Sequence, residues 1–77
     1  MQTIEQLVGS RIKNIRSSNN ETQQQLGLAV GVIQQSVAAW ESGKSMPSVI
    51  SLIRLALHYN ITTDSIIGVM LDIQEND

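Results

Sequence analysis

The fold of this chain is decided by the stretch AVGVIQQSVAAWESGKSMP, residues 29–47. At the helical period of about 3.6 residues per turn, its large apolar side chains fall on one side: Ile33, Val37 and Trp40. The opposite arc carries small or polar residues: Gln34, Gln35, Ala38, Ala39 and Ser42. Because that arc has no reason to face a core, we predict a helix over about residues 33–42 with two exposed glutamines at its start.

A shorter helix is predicted immediately before this one. Thr22 and Gln25 have the spacing of a capping box, in which each residue caps the backbone of the other. The apolar stripe that follows stops at Gly31, a residue type that readily takes the left-handed conformation at a helix end. The sequence therefore predicts helices over about 22–30 and 33–42, joined by a tight turn.

Three further helices are predicted around this pair. The first covers about residues 4–18, where apolar residues recur at three- and four-residue spacing behind a second capping box. Pro47 and Ser48 mark the start of a fourth helix, and Thr62 or Thr63 can cap a short fifth one. The residues predicted to face inwards in the fourth helix are Val49, Leu52, Leu55, Ala56 and Tyr59. The fold class is therefore all-α, a compact five-helix bundle without strands.

Composition limits the function classes. A chain of 77 residues forms one domain with a small core, which leaves little room for an enclosed active site. It has no cysteine and a single histidine, His58, so we predict no enzyme, metal site or cofactor. No signal peptide and no run of roughly 18 apolar residues is present, so we expect a cytoplasmic protein without a membrane partner.

Charge is distributed unevenly along the chain. The net charge is −2, which by itself argues against binding to nucleic acid. Residues 1–47, however, hold four basic and three acidic residues, whereas residues 48–77 hold one basic and four acidic residues. We therefore expect only the first half to face DNA.

Two helices joined by a glycine turn, the second with an exposed polar start, form a helix-turn-helix, whose second helix enters the major groove. Over residues 8–70 the sequence resembles the Cro/CI-type (XRE) family of prokaryotic repressors, through TQQQLGLAVGV, SVAAWESGKSMPS and LIRLALHYNITTDSIIG. The resemblance implies a lambda-repressor-like domain over 1–71, with the helix-turn-helix at about 22–42, and an acidic polar tail at 72–77. It also implies a sequence-specific transcription regulator of double-stranded DNA, acting as a repressor.

The resemblance also implies which residues touch DNA. Gln34 and Gln35 resemble the recognition-helix start of a lambdoid phage repressor. A glutamine amide offers a donor and an acceptor that match adenine N6 and N7, and an alanine can touch a thymine methyl group. The predicted base contacts are Gln34, Gln35, Ala38 and Ala39, and the predicted DNA backbone contacts are Gln23, Ser36, Lys44, Arg11 and Arg16. The alternative is that the two glutamines only solvate a helix start.

Three features bear on stability: one residue pair and two single positions. Arg16 and Glu41 match family positions that often form an ion pair. Ile33 stands where the family usually has Ser or Thr, which loses a side-chain cap worth about 0.5–2 kcal/mol. Gly27 stands where alanine is usual, at a cost of up to about 1 kcal/mol in helix propensity. We expect Gly27 to permit close packing against the next helix.

Backbone affinity should be modest, because Lys44 is the only basic residue that closely follows the third helix. A homodimer on a pseudo-palindromic operator would double the contacts. The predicted dimer interface contains Val69, Met70, Leu71 and Ile50. The alternative function is an antitoxin or adaptor of the same fold, in which the acidic second half binds a protein partner and DNA binding is weak.

Overall fold

Four complete helices and the start of a fifth form the part of the chain that the computed structural model describes, residues 1–67. The complete helices are α1 Ile4–Ser18, α2 Gln23–Val30, α3 Gln34–Glu41 and α4 Val49–Tyr59. The fifth helix is described over 64–67, and residues 1–67 contain no strand. The predicted all-α fold with five helices is confirmed. The predicted domain end at 71 and the tail at 72–77 lie outside the described residues.

Reciprocal capping boxes begin the first two helices, as predicted. The Thr3 hydroxyl accepts a hydrogen bond from Gln6 N at 3.1 Å, and Gln6 Oε1 accepts one from Thr3 N at 2.9 Å. Thr22 and Gln25 repeat this arrangement at 3.1 and 2.8 Å. These side chains satisfy backbone N–H groups that a helix start leaves without intrahelical partners.

The core lies where the helices meet. Val37 and Trp40 of α3 point into it, as predicted, with 0% and 5% of their surface exposed. The buried apolar side chains come from all five helices: Val8, Ile12, Leu26, Val30, Val37, Trp40, Leu55 and Ile66. Burial of one such aliphatic side chain contributes about 1.5–3 kcal/mol, so each helix is held mainly by its apolar side.

Two residues predicted to face inwards are exposed instead. Ile33 is 66% exposed because it is the N-cap of α3, where an extended backbone (ψ 158°) takes it off the helical wheel. Val49 is 72% exposed because it is the first residue of α4, and the apolar contacts of that helix with the core begin at Leu52 and Leu55. The predicted inward positions of Ile33 and Val49 were therefore wrong.

The close approach of α2 and α3 depends on Gly27. A Cβ atom at this position would lie 2.7 Å from the carbonyl oxygen of Val32, in the turn between the helices. That turn begins at Gly31, whose φ of 77° is left-handed. The expectation that Gly27 permits close packing is confirmed.

In residues 1–67, no helix is both long and apolar enough to cross a membrane.

Candidate nucleic-acid interface

The exposed side of α3 carries the predicted base contacts. Gln34 and Gln35 are exposed at its start, whereas Ala38 and Ala39 are half-buried one turn later. The opposite side of the helix is fixed in the core by its two buried residues, so the glutamines cannot turn inwards. Ser36, a predicted backbone contact, is half-buried, and its N–H donates to the Ile33 carbonyl at 3.0 Å.

Lys44 lies beside the middle of this surface. The chain folds back after α3, because the Lys44 N–H donates to the Ala39 carbonyl at 2.9 Å. One shallow depression is consequently lined by Gln35, Ala38, Ala39, Ser42 and Lys44. The structure thus brings predicted base contacts together with a predicted phosphate contact.

A second depression lies at the N-terminal end of α3. The two glutamines predicted to read bases, Gln34 and Gln35, form part of its lining. Helix α2 contributes Gln24 and Leu28, and the turn between the helices contributes Val32 and Ile33. Leu28 is 78% exposed, and sequence analysis did not assign it to this surface. One sequence feature could have indicated it. Leu28 is a large apolar residue that falls outside the apolar stripe of its helix, so packing in the bundle interior does not explain it.

Arg16 and Glu41 form a partly buried ion pair. Arg16 Nε lies 2.6 Å from Glu41 Oε2, and Arg16 Nη2 donates to Glu41 Oε1 at 3.0 Å, with the side chains 13% and 4% exposed. Arg16 Nη1 also donates to the Glu21 carbonyl at 2.6 Å. The hydrogen bond to Glu41 is the main cause that raises the pKa of Arg16, which keeps the guanidinium charged. This pair connects α1, the segment before α2 and the end of α3.

Gln23 joins the same network. Its Nε2 donates to Glu41 Oε1 at 3.1 Å, a contact that sequence analysis did not predict. One amide N–H of Gln23 and three guanidinium N–H groups of Arg16 are therefore engaged within the protein. Thr22 caps the N–H of Gln25, whereas the N–H groups of Gln23 and Gln24 have no intrahelical partner and remain as backbone donors for an anion.

Arg11 holds the fifth helix against α1. Its Nε and Nη2 donate to the carbonyl oxygen of Ser65 at 2.9 and 2.6 Å. These atoms lie in a depression lined by Asn14, Ile15 and Ser65, apart from the two depressions on α3. The structure therefore engages Arg11 in a tertiary contact that its sequence position did not indicate.

His58 pairs with Glu21. His58 Nε2 lies 2.7 Å from Glu21 Oε2, and the Tyr59 side chain packs beside the histidine ring. Burial works to raise the pKa of Glu21, but the neighbouring hydroxyl of Tyr59 and the hydrogen bond with His58 outweigh it, and the pKa is lowered from its usual 4.5. Burial also raises the pKa of Tyr59. This cluster fastens the end of α4 to the segment before α2.

The dimer interface predicted from the sequence is described only in part. Val69, Met70 and Leu71 lie outside the described residues. Ile50 is 62% exposed on the outer side of α4. It belongs to a continuous apolar surface, called here the α4 face, formed by Val49, Ile50, Ile53 and Leu57.

Comparison with known proteins adds independent information. A model of the helix-turn-helix family matches residues 12–66, more than half of the chain. Over 58 residues the chain is 30% identical to the HTH-type transcriptional activator BcrR of Enterococcus faecalis, a match that covers 75% of this chain and 28% of that protein. The chain thus spans little more than a quarter of that relative's length.

A solved structure shows the same fold. The restriction-modification controller protein C.AhdI from Aeromonas hydrophila matches with a TM-score of 0.76 over 80% of this chain and 94% of that chain, at 21% sequence identity. At this identity the likeness concerns the fold alone. The family match, together with the α2–turn–α3 geometry, shows that the chain belongs to the Cro/CI-type (XRE) helix-turn-helix family.

Proposed function

We propose that this chain is a sequence-specific regulator of transcription that binds double-stranded DNA through α3. The observation that carries the proposal is the exposure of Gln34 and Gln35 at the start of a helix whose other side is locked in the core. Membership of the helix-turn-helix family supports it, as does a relative named a transcriptional activator.

The proposed contacts divide into base readers and phosphate contacts. Gln34 and Gln35 read adenine through bidentate amides, and Ala38 and Ala39 approach thymine methyl groups one turn later. Lys44 neutralises a phosphate beside them, and Ser36 together with the backbone N–H groups at the start of α2 adds neutral donors to the DNA backbone. Arg11, Arg16 and Gln23 stay proposed backbone contacts, through the N–H groups that their contacts within the protein leave over.

The proposal includes repression, which needs only that the bound site overlaps a promoter. The relative named an activator does not conflict with the contact surface, because the direction of regulation depends on where the operator lies. Repression and activation both require recognition of DNA, and the proposal depends on that step.

We further infer that the chain acts as a homodimer. The four apolar side chains of the α4 face are between 49% and 76% exposed. This is more contiguous apolar surface than a helix that faces only solvent usually carries. A second copy is favoured as its occupant because half-sites about one DNA turn apart require a two-fold pair. If a different protein covers this face, the adaptor function is favoured instead.

Base reading is tested with matched variants on an operator selected from random DNA. Gln34→Ala or Gln35→Ala should lose about 1–3 kcal/mol of discrimination at one base position and leave non-specific binding nearly unchanged. Lys44→Ala should weaken binding to all sequences and lower the salt slope by about one unit. Gln2→Ala and Lys13→Ala, at exposed positions before α3, are the controls. If both glutamine variants keep the original preference at every position, the recognition helix is misassigned.

Dimerisation is tested by placing a charge on the α4 face. Ile53→Glu should weaken self-association at least tenfold, because burial of each isoleucine contributes more than about 1.4 kcal/mol to the dimer. Sedimentation over a range of concentrations measures the change. Ile4→Glu, at a similarly exposed isoleucine on α1, is the control. A wild-type chain that stays monomeric on and off DNA would contradict the dimer.

A further inference from the structure

The depression at the start of α3 has an unusual lining for a solvent-exposed surface. Two large aliphatic side chains, Leu28 and Ile33, are 78% and 66% exposed. They share this depression with the amides of Gln24, Gln34 and Gln35. Apolar and amide groups are thus placed side by side where the proposed recognition helix begins.

Ile33 does not serve the stability of its own helix. It is the N-cap of α3, and its side chain makes no capping hydrogen bond. It is also mostly outside the core, so it gains little from burial. A serine or threonine at this position would cap the helix with its hydroxyl group, and the polar side chain would be well solvated. The isoleucine therefore has no local structural reason, and a role towards a ligand would explain it.

We propose that Ile33, with Leu28 beside it, contacts the C5-methyl group of a thymine next to the base read by Gln34 or Gln35. This inference rests on the proposed function and adds a specificity-determining residue to it. In the major groove, the methyl group is the apolar feature that distinguishes thymine, and aliphatic side chains recognise it by contact. An adenine reader and a methyl reader at adjacent positions would select an A·T-rich end of each half-site.

The continuity of the depression with the glutamines favours DNA over a protein partner as its occupant. The α4 face offers four exposed apolar side chains for a protein, whereas this depression contains three amides that suit base edges. The shared chemistry is a methyl group at C5 of a pyrimidine, which both thymine and 5-methylcytosine carry. We assign thymine because the adjacent amides match adenine.

The test removes one methyl group from the DNA and one side chain from the protein. Each thymine of the selected operator is replaced in turn by deoxyuridine, and binding of the wild type, Ile33→Ala and Ile33→Val is measured. The wild type should lose about fourfold per half-site at one position, which corresponds to the ~0.8 kcal/mol of one buried CH₂ group. Binding of Ile33→Val should still weaken when deoxyuridine replaces this thymine, by most of the wild-type factor. Binding of Ile33→Ala should not change.

A second variant separates the role from folding. Ile33→Ser should lose the same preference for thymine while its urea midpoint, followed by Trp40 fluorescence, stays equal or rises because serine caps α3. A further arm replaces the sensitive thymine by cytosine and by 5-methylcytosine. Tighter binding of the wild type to the methylated form supports methyl recognition, and equal binding of the two forms counts against it.

The outcomes distinguish this inference from the proposed function. If the operator is bound specifically but no deoxyuridine replacement weakens binding, neither Ile33 nor the two alanines read a methyl group, and the proposed function stands on the glutamine contacts alone. If the wild type and Ile33→Ala lose affinity equally, another side chain reads the methyl group and the inference is overturned. If no DNA sequence is preferred, the proposed function fails and this inference fails with it.

Discussion

The Arg16–Glu41 pair gives the sharpest test of how α3 is held. Removal of one member of a buried ion pair usually costs about 3–5 kcal/mol, because the other charge stays buried without its partner. Arg16→Ala would leave a 4% exposed carboxylate with only the Gln23 amide as donor, and Glu41→Ala would leave a 13% exposed guanidinium. We expect each single variant to lose about 3 kcal/mol.

The double variant should cost less than the sum of the two single variants. Since neither charge is then left alone, we expect a coupling of about 1–3 kcal/mol between the two positions. Urea denaturation followed by Trp40 fluorescence measures it, because Trp40 is the only tryptophan and lies on α3. With m near 1–1.5 kcal/mol/M for a small domain, a loss of about 3 kcal/mol lowers the midpoint by roughly 2–3 M.

Milder variants keep the test valid if alanine unfolds the protein. A domain of 77 residues has a total stability of about 4–12 kcal/mol, so a single loss of 3 kcal/mol could be most of it. Glu41→Gln keeps one acceptor for the guanidinium and should fall between the wild type and Glu41→Ala. Glu5→Ala and Lys13→Ala, two exposed charges on α1, are the control pair. Losses that add within about 0.5 kcal/mol would refute the coupling.

Two further predictions concern packing and pH. Gly27→Ala should destabilise the protein by about 1–3 kcal/mol despite the better helix propensity of alanine, because the new Cβ would lie 2.7 Å from the Val32 carbonyl oxygen; an unchanged urea midpoint would contradict this. The lowered pKa of Glu21 makes its ionised form stabilising, so the advantage of the wild type over Glu21→Gln should be full above the usual pKa of 4.5 and decline as pH falls through the folded-state pKa. Thermal melts of both proteins between pH 3 and 7 measure this advantage, and a pH-independent difference would argue against it.

The features predicted correctly from the sequence depend on short-range patterns. The α1 bounds and both capping boxes follow from residues three or four positions apart. Ile33 was misplaced for a physical reason, since the helical wheel applies only to residues with helical backbone and the N-cap is extended. Val49 shows a related limit. The helical period predicts which side of α4 a residue lies on, but not whether a neighbouring helix extends far enough to cover it.

Contacts between distant residues were predictable only where a family pattern supplied them. Arg16 and Glu41 are 25 residues apart, and the resemblance suggested their pairing. The contact of Arg11 with the Ser65 carbonyl spans 54 residues and leaves no periodic trace in the sequence. The same holds for Gln23, whose amide donates to Glu41. A polar side chain that seems available to a ligand can therefore already be engaged by the fold.

The way α3 is held affects how its variants must be interpreted. An eight-residue helix is not stable alone, so its position depends on tertiary contacts. Gly27 lets α2 approach its start, and Gly9 lets α1 approach its end, where a Cβ atom would lie 2.1 Å from the Trp40 carbonyl oxygen. The ion pair of Glu41 adds a third attachment.

Loss of DNA binding in an Arg16 or Gln23 variant would consequently not identify a phosphate contact, because a shifted α3 would weaken binding as well. The salt dependence separates the two causes. Loss of a charged contact from Arg16 to phosphate lowers the salt slope by about one unit. A shifted but folded helix should keep the phosphate contacts of Lys44 and lose base discrimination instead. Gln23 carries no charge, so only the comparison of base preference with stability can assign its role.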